Sequence, residues 1–464
     1  MPENYSTYLS PFTWRYASQE MRQIWSEMNK RRLWRQLWVA LAEVQAGVGL
    51  VSSAQVEDLR QHVTEINMER ALAIEAEIHH DLMAELKTFA EQAPLGGKIL
   101  HLGATSMDIE DNADVLRMRQ ALALVLERLK TLLLLLAEKI DSTAGVPVMA
   151  FTHLQPAEPT TLGYRLAQVA QDLLLDWEAL GRVQRGLKGK GFTGAVGTSA
   201  SYAELLGSAD LLPEFEARLS TALGLPFFPV TTQVYPRKQD YALLSALAGL
   251  GGSLYKYAFD LRILQSPSLG ELSEPFGSQQ VGSSAMPFKR NPINAEKIDS
   301  LARALAQMPR LAWDNAAHSL LERTLDDSAN RRTLLPEAFL IVDELLLVME
   351  RIVRGLVVQQ HAVERNFSIY APFAALERVL MALGKAGADR QAMHERLRQH
   401  ALQAWSEVQA GRANPLSDQI AADPVLLTYL PGEALRSMMD ATAHLGDAPA
   451  RARKMAATVR SICS

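Results

Sequence analysis

Residues Asn112–Asp141 read NADVLRMRQALALVLERLKTLLLLLAEKID, thirty positions without glycine or proline, followed closely by Gly145 and Pro147. So long an uninterrupted run exceeds the usual ~8–20 residues of a globular helix, and the glycine and proline beyond it are helix stops. Leu132, Leu133 and Leu136 recur at three- and four-residue spacing, as do Leu166, Val169 and Leu173 in a second run from near Pro159 toward Leu187. That spacing stacks side chains on one helical face. Further helical runs cover Tyr241–Gln265, Pro292–Ala317 and Ala329–Val357. Long adjacent helices make an all-α bundle the expected fold. Several are apolar around much of their circumference, which points to coverage by other copies of the chain.

The composition sets the outer limits. The 464 residues carry a net charge of −5, with 48% hydrophobic and 21% charged residues, as in an ordinary globular protein large enough to bury its own core. No basic stripe stands out, so nucleic acid is a poor partner, although a few clustered arginines can still bind a phosphate. The lone cysteine, Cys463, leaves no intramolecular disulfide and no zinc site built on paired cysteines, and suits a reducing cytoplasm. Leu132–Leu136, the most apolar stretch, is flanked by Lys130 and Glu138 and is far shorter than the ~20 residues a bilayer requires. No signal peptide is visible in Met1–Tyr16. The expectation is a protein with no membrane partner.

Polar, Gly- or Pro-rich connections separate the helices: Gly103–Asp111, Val146–Pro159, Gly186–Ser201 and Ser266–Pro292. Connections carried on a rigid scaffold are where functional residues concentrate. The last of them contains Gly282-Ser-Ser-Ala-Met-Pro-Phe-Lys-Arg-Asn-Pro292, in which Lys289 and Asn291 stand between two prolines behind a pair of serines. Such a loop can close over an anion and present a hydroxyl beside it. The second holds Phe151-Thr-His-Leu-Gln-Pro-Ala157, where Thr152 and His153 precede a helix. His101-Leu-Gly-Ala-Thr-Ser106 sets Thr105 and Ser106 beside a Gly turn, suited to gripping a carboxylate. Glu322-Arg-Thr-Leu-Asp-Asp-Ser-Ala-Asn-Arg-Arg332 reads as a phosphate site. Asp326, Asp327 or Ser328 can cap a helix start, Ser328 and Arg332 lie one turn apart, and a helix N-terminus with added arginines attracts anions. Gly189-Lys-Gly-Phe-Thr-Gly194 satisfies GxGxxG, but it follows a helix rather than a strand, so a structural loop is expected.

The Gly282–Pro292 segment matches, without a gap, the GSSxMPxKxNP loop of the fumarase/aspartase/argininosuccinate lyase superfamily, and the chain is identified by it as a member. Thr152-His153-Leu154-Gln155 resembles the superfamily's Thr-His-x-Gln stretch. Within it, Trp14-Arg-Tyr-Ala-Ser18 and Glu322–Arg332 resemble the adenylosuccinate lyases, as do His79-His80-Asp81, Thr231-Thr-Gln-Val-Tyr235, Ala371-Pro-Phe373 and Lys385-Ala-Gly387. The resemblance runs from about Ser10 into the C-terminal part and weakens near the end. Lys297 stands where animal-type enzymes carry a substrate-contacting arginine; it keeps the charge and loses the planar fork.

The resemblance implies three mostly helical domains, about 1–105, 106–360 and 361–464, with a central bundle that assembles a tetramer whose sites draw on more than one subunit. It implies elimination of fumarate from two succinylated purine nucleotides, without cofactor or metal. Adjacent histidines at 79 and 80 could suggest a metal, but no HExxH accompanies them. His153 is the implied general acid and Ser283 the general base. Arg15, Arg323, Ser328 and Arg332 would hold the 5′-phosphate, with Tyr16 packed near the nucleotide. Lys289, Asn291, Thr105 and Ser106 would stabilise the developing dianion. His79, His80, Asp81, Thr152, Gln233, Lys297 and Leu325 complete the implied substrate contacts. The rival readings are another lyase of the superfamily, such as argininosuccinate lyase, whose substrate has no phosphate, and a non-catalytic homologue that keeps only the helical scaffold.

Overall fold

A computed structural model describes residues 5–277 and 279–463. The long helices form where the apolar spacing predicts them, as Ser106–Thr143, Leu162–Gly186, Lys238–Gln265 and Asp326–Arg354. Three expectations need correction. The first helix begins at Ser106, inside the segment read as a Gly103–Asp111 connection, because the Asp108 carboxylate reaches back to the Thr105 N–H at 3.0 Å. That is half of a capping box, and it satisfies a donor the helix start would otherwise leave bare. The run Pro292–Ala317 is two helices, Ile293–Leu305 and Met308–Ala317, with Pro309 in the first turn of the second. There its missing N–H is harmless, whereas inside one continuous helix it would break a hydrogen bond. Finally, Val146–Pro159 is not a loop. Strands Pro147–Thr152 and Gln155–Thr161 pair antiparallel as a hairpin, with a register shift between Met149 and Phe151.

The chain divides into two compact units. One comprises Met1–Leu129, Asp176–Leu254 and Ser300–Leu347. Its core gathers Trp34, Leu37, Trp38 and Leu41 of the helix Glu27–Gly47, Leu82 and Phe89 of Asp81–Gln92, and Phe192, Tyr202 and Phe215. Glu85, fully buried, accepts from Arg31 Nη1 at 3.1 Å and Arg35 Nε at 2.6 Å, which joins those two helices. Removing one partner of such a pair costs about 3–5 kcal/mol, because it strands the other charge.

The second unit comprises Lys130–Leu175, Tyr255–Asp299 and Val348–Ser464. The hairpin packs on the helix Gln360–Lys385, and Met149 joins Ala371, Ala375, Val379, Leu383, Leu397 and Leu416 in its core. By length and composition Gln360–Lys385 could cross a membrane. Here one face of it lies buried in this core.

Candidate active site

The helix-loop corners of the first unit bring several of the expected residues together. His79 ends the helix Met68–Ile78 in a left-handed conformation (φ 56°), and its N–H donates to Glu75 O at 2.8 Å. This sharp reversal starts the next helix at once, with His80 as its N-cap. His80 Nδ1 accepts from the Met83 N–H at 3.5 Å, and Nε2 stands 3.4 Å from Ser106 Oγ. If Nδ1 is the acceptor, the neutral ring carries its proton on Nε2 and donates it to the serine oxygen. Next in sequence, Asp81 accepts from Arg332 Nη2 at 3.0 Å. Burial would raise the Asp81 carboxyl, but Arg332, Lys30 and the Leu82 N–H outweigh it and hold it below the usual carboxylate range. Glu110, one turn beyond Ser106, behaves oppositely. Burial and the neighbouring Asp81, Asp114 and Asp111 carboxylates push it up to about 8.

Thr105 and Ser106 owe their placement to Gly103 and Asp108. Gly103 has φ 81°, and a Cβ there would lie 2.8 Å from the Leu205 side chain. Asp108, fully buried, receives the Thr105 N–H, the Thr193 N–H at 3.2 Å and the Lys190 ammonium. The GxGxxG stretch is thus a structural loop fastened beneath this corner. Thr193 Oγ1 continues to Thr231 Oγ1 at 2.9 Å, and Gln233 N donates to Glu322 O at 3.1 Å.

Arg323, Ser328 and Arg332 lie at or just before the start of the helix Asp326–Arg354. Asp326, Asp327 and Ser328 are first-turn residues of that helix rather than residues preceding it, and the Asp327 side chain turns inward, 2% exposed. Leu325 is exposed. Arg15 stacks over Trp14, 5.5 Å from the ring centroid, and Tyr16 is half-buried. Their segment docks through Ala17 N on Glu344 Oε2 (2.9 Å) and Ser18 N on Asp343 Oδ2 (2.6 Å). Those anchors lie roughly 23 Å along the helix from Ser328, at ~1.5 Å per residue.

The second unit carries the remaining residues. His153 and Leu154 form the two-residue turn of the hairpin, both left-handed, with φ 53° and 59°. Two positive φ values suit the right-handed twist of a tight hairpin, but glycine or asparagine normally supplies them. A left-handed non-glycine residue costs about 1–3 kcal/mol, a kind of strain that recurs at active sites. Thr152 and His153 are both exposed at this tip.

The Ser283 loop is pinned at its base. Glu274, 3% exposed, accepts from the Asn294 and Ala295 N–H groups at 3.1 and 3.0 Å, capping the helix Ile293–Leu305. Burial raises its carboxyl above the usual range, and those N–H groups pull it partly back. Gln265 accepts from Glu274 N at 2.9 Å and donates to Arg290 O at 3.0 Å. Asn291 Nδ2 donates to Gly282 O at 3.0 Å, so in this conformation the amide braces the loop itself. A Cβ at residue 282 would lie 2.3 Å from Lys289 O, so glycine is required. Ser283 Oγ accepts from the Met286 N–H at 3.1 Å and the Ala285 N–H at 3.4 Å. Donors aimed at one oxygen favour negative charge on it. Lys289 is exposed and Lys297 half-buried on the following helix.

The chain matches the family described as lyase over residues 11–306 and that described as adenylosuccinate lyase C-terminus over residues 372–455. An adenylosuccinate lyase of Schistosoma mansoni is 39% identical over 91% of this chain and 88% of its own length. That of Saccharomyces cerevisiae is 38% identical over 98% and 95%, and that of Pyrococcus abyssi 38% over 86% and 87%. The chain belongs to the adenylosuccinate lyase family. A fumarate lyase from Mesorhizobium sp. BNC1 superposes with a TM-score of 0.84 at 25% identity, covering 97% of this chain and 99% of that one. A 3-carboxy-cis,cis-muconate lactonizing enzyme from Pseudomonas putida gives 0.85 at 25% identity with the same coverage. The all-α bundle expected from the long helices, and the fumarase-type fold that the motif resemblance implies, are therefore the fold of this adenylosuccinate lyase family member, a carbon–nitrogen lyase.

Sequence reasoning missed what lies beneath the surface residues of this lyase. Arg237 Nη1 reaches both oxygens of Asp111 at 3.0 and 3.1 Å, and Tyr235 N donates to Asp111 at 2.9 Å. Arg331 binds Asp240 at 2.9 Å and the Tyr235 hydroxyl at 2.6 Å. Asp108, Glu110, Asp111 and Asp114, a dense acidic run opening a greasy helix, were the available signal.

Proposed function

We propose that this chain eliminates fumarate from adenylosuccinate, leaving AMP, and likewise from succinylaminoimidazole-carboxamide ribotide, leaving the free carboxamide ribotide. The observation that carries the reading, once the family is known, is Ser283 Oγ under two backbone N–H donors in a loop pinned at its base. A serine hydroxyl is a weak base and must act as a stabilised alkoxide. Donors already aimed at Oγ supply that stabilisation, and the Lys289 ammonium adds to it.

In this reading Ser283 takes the proton from the carbon next to a carboxylate of the succinyl group. The electron pair left behind forms the C=C bond of fumarate as the C–N bond breaks, and His153 protonates the leaving nitrogen. Lys289, Asn291, Thr105 and Ser106 stabilise the dianion that forms in between. For Asn291 this means exchanging its bond to Gly282 O for one to substrate. His80 orients Ser106, Asp81 orients Arg332, and Arg15, Arg323, Ser328 and Arg332 bind the 5′-phosphate. His79, Thr152, Gln233, Lys297, Leu325 and Tyr16 line the rest. The three-domain division at about 105 and 360 belongs to the same reading, as does a homotetramer with shared sites. Support for sharing comes from the length of the helix Ser106–Thr143, 38 residues or roughly 57 Å at ~1.5 Å per residue, more than a single small-molecule site can span.

The deciding experiment is a spectrophotometric assay of EDTA-treated protein with adenylosuccinate, followed by detection of fumarate. Turnover without added metal supports the reading. Absence of turnover with or without metal rejects adenylosuccinate as the substrate, and fumarate release from argininosuccinate then separates another lyase of the superfamily from a non-catalytic homologue. Activity restored only by zinc or magnesium overturns the metal-free mechanism.

A further inference from the structure

A phosphate site built on Arg323 has a difficulty. Arg323 belongs to the short connection between the helices Met308–Ala317 and Asp326–Arg354, and its long side chain has many rotamers. Something must hold the guanidinium in place, and the hydrogen bonds name it. Asp327 Oδ1 accepts from Arg323 Nη1 at 2.7 Å, and Oδ2 accepts from Arg237 Nε at 2.6 Å. Arg237, 3% exposed, is gripped in turn by Asp111, 0% exposed, on the helix that Ser106 opens. Asp327 is therefore the middle of a chain running from the Thr105–Ser106 helix to Arg323. Its carboxyl stays ionised: burial opposes charge, but Arg237 and then Arg323 hold it below the usual range.

We propose that Asp327 is a positioning residue for phosphate recognition, fixing the Arg323 guanidinium against the buried Arg237–Asp111 pair. The inference rests on the reading of Arg323 as a phosphate ligand. Two accounts of Asp327 give opposite signs. As a mere neighbouring negative charge, it repels a phosphate dianion, and its neutralisation tightens nucleotide binding. As a positioning residue, its neutralisation releases Arg323 and weakens nucleotide binding. Phosphate contacts act in ground and transition state alike, so the loss falls on KM rather than kcat.

The test compares Asp327→Asn, Arg323→Ala and the double variant, each against adenylosuccinate and against its nucleoside lacking the 5′-phosphate. The expected result for Asp327→Asn is a nucleotide KM raised about tenfold, little change in kcat, and a nucleoside kcat/KM within about twofold of the parent. Arg323→Ala gives the same pattern, and the double variant adds nothing to it, because both changes remove one interaction. Asp327→Glu keeps the charge while displacing Arg323 by a methylene, and shows a smaller rise in the same KM. It also serves if Asp327→Asn fails to fold. An unchanged or lowered nucleotide KM, equal losses on both substrates, or full additivity with Arg323→Ala overturns the positioning role. If Arg323→Ala itself does not discriminate the two substrates, the phosphate reading of Arg323 falls instead.

Discussion

His80 Nε2 lies 3.4 Å from Ser106 Oγ, joining an N-cap histidine to the first residue of the longest described helix. The contact ties a ring that also accepts from the Met83 N–H to a hydroxyl on a different helix. If the pair acts as one donor unit toward substrate, His80→Ala and Ser106→Ala are not additive. Each lowers kcat/KM on adenylosuccinate, and the double variant is no worse than the more damaged single one. Multiplicative losses would separate the two residues.

Acid and base differ from phosphate contacts in where their energy falls. Ser283→Ala and His153→Ala should reduce kcat by at least ~100-fold with modest change in KM, since their work is done in the transition state. Arg332→Ala should mainly raise KM. Steady-state kinetics on the three variants decide this, and a Ser283→Ala enzyme with near-normal kcat ends the assignment of that base.

If each site draws on several subunits, inactive variants can rescue one another. Mixing His153→Ala with Ser283→Ala under conditions that exchange subunits should restore part of the activity, because some sites then receive an intact His153 and an intact Ser283 from different chains. Mixed tetramers no more active than the separate variants would remove the main support for sharing.

Glu110 predicts a pH-dependent stability. Its carboxyl rises from 4.5 to about 8 in the fold, so the folded chain holds a proton that the unfolded chain has released. Between those values stability falls as pH rises, and below 4.5 the group contributes no difference. Glu110→Gln keeps the neutral form throughout. Its melting temperature relative to the parent should therefore climb from pH 5 to pH 8. A difference constant across that range contradicts the raised carboxyl.

The long helices were legible because Leu132, Leu133 and Leu136 can stack only at helical spacing. Ser283 and His153 stood out through their match to the superfamily's loop and Thr-His-x-Gln stretch, and their roles belong to the proposed function. The hairpin was not. Pro156 and Pro159 interrupt its second strand and read as a connection. Among the described residues the two strands form a sheet of their own, so a proline facing away from its partner loses no ladder bond. Its turn also uses His153 and Leu154, not the Asn-Gly that signals a hairpin. The Asp111–Arg237–Asp327 chain was illegible for another reason: its members come from segments 126 and 90 residues apart. Helical periodicity carries no information across such distances.

Glu274 holds the far end of the Ser283 loop through the Asn294 and Ala295 N–H groups while itself belonging to the near end. One carboxylate thus turns the intervening chain into a closed ring before any substrate arrives. A free tether must search for its end-to-end distance each time it closes, and that entropy grows with its length. A ring has already made the search. Outside Gly282, Ser283, Lys289 and Asn291, it can therefore gain a residue or two with little effect on how readily it shuts. Glu274→Ala would reopen the ring and make closure slow.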